Sequence, residues 1–134
     1  MNLTDSELLA FCGLVRVLVR LDGEVSPEER RAIEEIGPAL ARREAEPGEP
    51  YRAISEEEDW VERFWSMMDR ASKSMTGESE AQKAALEVTR QEAREELHAA
   101  LHHLAASDVI SKPEWDMLTW LASVWSIPMG EGTG

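Results

Sequence analysis

The chain has 134 residues, with 27 acidic side chains against 14 basic ones and a formal net charge of −13. That balance excludes nucleic-acid binders, which need a basic patch to neutralise phosphates, and it opposes docking on anionic membranes. At 43% hydrophobic residues the chain can still bury a core, so one folded domain is expected rather than an acidic disordered segment.

Strand signals are almost absent, and helix signals recur. Thr4-x-x-Glu7 reads as a capping box that opens a helix to about Leu21. Leu8, Phe11, Leu14, Val15, Leu18 and Leu21 supply its helical stripe, and Leu9, Cys12, Val17 and Val19 widen it. A helix apolar on most of its circumference is normally buried on several sides. This run is shorter than the ~20 residues needed to cross a bilayer. Acidic residues precede it and Arg16 and Arg20 interrupt it, so neither a signal peptide nor a membrane span is expected, and a cytoplasmic protein is. Cys12, the single cysteine, falls inside the stripe and reads as a small buried hydrophobe.

Next comes LDGEVSPEER, residues 21–30, which has the second half of a calcium loop: Gly at the sharp turn and Glu at the end. The first half denies it, because Leu18 and Arg20 fall where an EF-hand needs oxygen ligands. The stretch instead reads as a turn leading into a second helix, with Ser26 as cap, Pro27 in the first turn and Glu29 reaching back. Ala32, Ile33, Ile36 and Leu40 make the inner face, and Gly37-Pro38 is expected to break or kink it.

Residues 44–54 carry two prolines and a glycine and read as a loop. Ser55-x-x-Glu58 is a further capping box, starting a helix to about Met75 with Trp60, Val61, Phe64, Trp65, Met67 and Met68 as its apolar side. Eight carboxylates lie between Arg43 and Arg63 against one cation, Arg52. Acids suit a helix amino end, and Glu56, Glu57, Glu58 and Asp59 also form a candidate docking surface for a basic protein partner. From Ser79 to Ala106 the chain favours helix, dividing near Thr89 to Gln91, with Leu97, Leu101, Leu104 and Ala105 inward. Ser111-x-x-Glu114 caps a last helix to about Ser126, and residues 128–134 read as a flexible tail after a domain over 1–127.

Glu95, His98 and His102 share one helical face, and Glu95-x-x-His98 is a fragment used in carboxylate-bridged di-iron bundles. With three histidines in all, one chain cannot supply the second copy, and an exposed, unliganded face is expected. Trp60, Trp65, Trp115, Trp120 and Trp125 cannot all share a face, so some belong in the core and others near the surface. The tryptophan-rich last helix is either central to the bundle or the contact of a homodimer. No nucleophile elbow, Walker loop or dinucleotide loop occurs, so no enzyme and no cofactor is expected.

Residues 14–36 and 99–121 share one plan: apolar helix, short turn, capped helix, with Val25-Ser26 and Glu29 falling on Ile110-Ser111 and Glu114. The simplest architecture is an all-α bundle of about six to seven helices with an internal pseudo-two-fold repeat. The stretch from Leu21 to Glu29, with its weaker echo from Ala106 to Glu114, resembles the TerB-like family, associated with tellurite resistance and with some co-chaperones. The resemblance implies a helical bundle that serves stress responses or protein assemblies, often with metal sensing through acids beside the turns. By position those acids are Asp22 and Glu29 in the first half and Glu114 in the second. Asp108 stands in for the acid displaced where Ser107-Asp108 replaces Asp22-Gly23. A hard divalent cation prefers such oxygens. The same residues also have structural uses, Asp22 in its own turn and Glu29 at a helix start.

Overall fold

The computed structural model describes residues 3–21, 26–42, 57–75, 77–107 and 110–128. Among them are six helices and no strand: α1 (Asp5–Leu21), α2 (Pro27–Ala41), α3 (Glu57–Ser74), α4 (Glu78–Leu86), α5 (Gln91–Ala106) and α6 (Lys112–Val124). No helix among the described residues is long and apolar enough to cross a membrane.

The breadth of its apolar stripe puts α1 at the centre, packed against α3, α4, α5 and α6. Leu8, Phe11, Cys12, Leu14, Val15 and Leu18 are all fully buried, so every side of the helix except the Arg20 edge meets a neighbour. Thr4 starts it as expected. The Glu7 backbone N–H donates to Thr4 Oγ1 at 3.1 Å, and the Thr4 N–H donates to Glu7 Oε1 at 2.8 Å. From the turn before α5, Arg90 grips the same carboxylate, donating from Nε to Oε2 at 2.7 Å and from its terminal nitrogen to Oε1.

The expected break at Gly37-Pro38 is absent, since α2 runs through both residues to Ala41. Proline costs one intrahelical bond. Here it is buried with Gly37, Leu40 and Ala41, and Gly37 lets the Phe64 ring of α3 lie directly on the α2 backbone. Arg63 then pins three chain segments, donating to the carbonyls of Ala41 and Leu3 at 2.8 Å each and to Asp5 Oδ1 at 3.1 Å.

The inner face of α3 is narrower than its sequence suggests. Phe64, Met67 and Ala71 are buried, but Val61 and Trp65 are exposed. The step from α4 to α5 falls near Thr89 to Gln91 as the sequence indicates, and Arg94 Nε secures it by donating to the Val88 carbonyl at 2.7 Å. Helix α6 ends slightly early, at Val124. Ser126 takes a left-handed φ of 56°. The Ser126 and Ile127 N–H groups then return to the Ser123 and Ala122 carbonyls, at 3.4 and 2.8 Å, which closes a Schellman stop. Trp125, just inside that stop, is fully buried.

Candidate functional site

The starts of α2 and α6, which follow the two turns singled out by sequence, carry the same cap. Ser26 and Ser111 take backbone angles of −72°, 159° and −76°, 162°, and each is followed by proline in the first turn. Ser26 Oγ accepts from the Glu29 N–H at 3.0 Å, while Glu29 Oε1 accepts from the Ser26 N–H at 3.1 Å. The corresponding distances for Ser111 and Glu114 are 3.3 and 2.9 Å. Both glutamates are only 1% exposed. One carboxylate oxygen of each is therefore committed to the cap. The second oxygen of Glu114, Oε2, is buried without a hydrogen-bond partner among the described residues. Ile110, before the second cap, packs against the core.

The other proposed ligands, Asp22 and Asp108, lie outside the described residues, as does Glu56. Glu57 and Glu58 occupy the first turn of α3, but their side chains fall outside the described set. Asp59 is exposed in that same turn. No group of three or more histidine, cysteine, aspartate or glutamate side chains converges as a metal site among the described residues.

The histidine face is not the exposed strip its spacing suggests. His98 is 6% exposed, and its Nε2 lies 3.0 Å from the Leu118 carbonyl of α6. A carbonyl can only accept, so Nε2 carries the proton. The α5 inward face is wider than its leucines alone, because α6 covers the flank that holds His98. Glu95 points to solvent and accepts from Gln91 at 3.5 Å, and His102 is half-buried with its ring edge-on to Trp115 at 6.1 Å.

Burial holds the His98 imidazole below its ordinary value near 6.5, against the Leu118 bond, which favours the charged form; His102 nearby lowers it slightly further. Glu7 is also held below the ordinary carboxylate value, first by the Arg90 hydrogen bonds, with burial opposing and the Thr4 N–H assisting. The signs agree. Below pH about 6.5 the unfolded chain takes up a proton that folded His98 refuses, so stability falls as pH drops through that value. The Glu7 contribution is present above the ordinary carboxylate value and disappears below it, as the folded carboxyl finally protonates. Urea midpoints against pH should therefore fall in two stages. His98→Gln, which keeps a donor and cannot titrate, should remove the upper stage. An unchanged upper stage in that variant would assign it to another group.

Cys12 is fully buried, and burial pushes its thiol up to about 12, far from the range of a working nucleophile. The tryptophans divide between core and surface as expected. Trp125 is in the core, Trp60 is half-buried beneath the Arg42 guanidinium at 5.1 Å, Trp120 is half-buried, and Trp65 and Trp115 are exposed.

One feature escapes sequence reading. A groove of about 610 Å³ runs between α2 and α3, with Arg30, Arg31, Ile33 and Glu34 on one wall and Trp65 and Met68 on the other. The only linear trace of it is the adjacent pair Arg30-Arg31 in a chain so rich in acids. Comparison with models of protein families, with curated proteins and with solved structures finds no match for this chain.

Proposed function

We propose that this chain is a non-catalytic helical module of TerB-like type that acts in a stress response or a protein assembly by holding a protein partner. The observation that carries this reading is the pair of matched helix caps. Two buried glutamates close two serine caps of nearly identical backbone angles, each opening a helix with proline in its first turn. That likeness supports an internal repeat, the feature on which the family resemblance rests. Two groups that could serve catalysis are put to structural use: Cys12 is sealed in the core, and His98 is tied to a carbonyl. The partner surface is assigned to the acidic run Glu56, Glu57, Glu58 and Asp59, whose last three residues open α3, and these would meet basic side chains. A pull-down from cell lysate should lose its partner when these four are neutralised. Capture that persists in the neutralised protein would place the surface elsewhere.

The buried, unpartnered Oε2 of Glu114 favours a second reading, a divalent-cation sensor. A carboxylate oxygen removed from water without a partner is costly, and a hard cation is one way to satisfy it. The described residues do not make such a site alone, so Asp22 or Asp108 would have to complete it. Calcium or magnesium should then raise the melting temperature, and Asp22→Asn or Glu114→Gln should cancel the rise. A melting curve indifferent to millimolar divalents would exclude this reading.

A further inference from the structure

The α2–α3 groove has a chemistry opposite to that of the chain around it. Arg30 and Arg31 are both exposed, and each has a glutamate one helical turn on, Glu34 and Glu35. Neither closes that pair, and among the described residues neither arginine forms an ion pair. In a chain with 27 acids and 14 bases, a groove whose described lining holds two guanidiniums against one carboxylate stands out, although Glu28, Glu29 and Glu35 flank the pair in sequence. Across from them Trp65 is 43% exposed, held edge-on against Phe64 at 4.9 Å between centroids, with the half-buried Met68 beside it. Ile33 forms the apolar floor, and Glu34 is the one acid on the walls among the described residues.

A volume of about 610 Å³ lies within the range of sites that take a ligand of several side chains. Arginine and tryptophan are the residue types that dominate binding energy at interfaces, and the fixed guanidinium fork suits a carboxylate. Nucleic acid would meet two cations against a net charge of −13, which rules out a phosphate backbone as the occupant.

We propose that this groove receives a partner peptide carrying a carboxylate next to a bulky apolar side chain. The carboxylate would pair with Arg30 and Arg31, and the apolar side chain would lie on Trp65 between Met68 and Ile33. This surface is distinct from the acidic start of α3 and selects a partner of the opposite charge, so its success or failure is separate from that of the surface proposed above.

The test uses fluorescence anisotropy with a short labelled peptide that alternates glutamate with leucine and phenylalanine. Two controls accompany it, one with every glutamate changed to glutamine and one with every apolar residue changed to serine. The parent peptide should bind more tightly than either control. Arg30→Glu with Arg31→Glu should weaken it by more than about tenfold, and Trp65→Ala by about tenfold. Asp59→Asn should leave it unchanged. All of these positions are exposed, and unchanged circular dichroism and melting of the variants would confirm that the fold is kept. The proposal is overturned if the glutamine peptide binds equally well, if the arginine reversals have no effect, or if the parent peptide does not bind at millimolar concentration. Sedimentation showing a dimer that Trp65→Ala dissociates would overturn it as well, by giving the groove to a second copy of the chain.

Discussion

Trp125→Ala should cost about 3–5 kcal/mol, a large part of the ~5–15 kcal/mol that holds a domain of this kind together. Trp125 is the largest fully buried side chain, and it joins three elements. Its indole N–H donates to the Ala85 carbonyl at the end of α4 at 2.9 Å. Its own carbonyl accepts from Gln91 at the start of α5 at 3.0 Å, and its N–H closes the last turn of α6 on Leu121 at 2.9 Å. Truncation leaves a cavity where α4, α5 and α6 meet. Trp125→Phe should cost only about 1–2 kcal/mol, the net worth of a lost hydrogen bond plus imperfect filling. The Ala85 carbonyl is not orphaned by that change, because it also accepts from the Val88 N–H at 3.1 Å. Urea unfolding followed by circular dichroism measures both. Equal midpoints for the alanine variant and the parent would mean that Trp125 is not the keystone of that end.

Gly37→Ala should destabilise the protein although alanine is the better helix former. The added methyl would land inside the Phe64 ring, which is fully buried and has no free end to swing aside. Helix propensity favours the change by about 1 kcal/mol, and overpacking opposes it by about 1–3 kcal/mol. The net is a loss of up to about 2 kcal/mol. Phe64→Leu removes the ring, so in that background Gly37→Ala should become neutral or stabilising. A double-mutant cycle should give a coupling of about 1–3 kcal/mol between the two sites. Additive changes would show that the ring does not rest on Gly37. Gly13 offers the contrast. There an added methyl meets the sulfur and terminal methyl of Met75, the far end of a flexible side chain, so Gly13→Ala should cost less.

Legibility from sequence followed the range of the interaction. The boxes at Thr4, Ser26 and Ser111 were readable because each is complete within four residues, and all three form. The division of α4 from α5 and the central place of α1 were readable for the same reason, since both follow from periodicity along one stretch. At Gly37-Pro38 the helix does not break, and the ring that Gly37 accommodates, that of Phe64, belongs to another element and leaves no local signature. His98 misleads likewise, because its burial depends on where α6 lies and on one carbonyl, that of Leu118. The buried stripe of α3 is narrower than its apolar residues indicate, since apolarity alone does not tell Trp65 at the rim from Phe64 in the core. The grip of Arg90 on Glu7 has no local signature. Neither does the groove, which exists only once α3 lies beside α2.

The stop at the end of α6 also has a use. Ser126 holds a backbone conformation that side chains with a Cβ adopt reluctantly, at a cost on the order of 1 kcal/mol. Glycine at 126 adopts it freely, so an engineer seeking a hardier protein could start at this single exposed position and leave both the core and the candidate binding surfaces untouched.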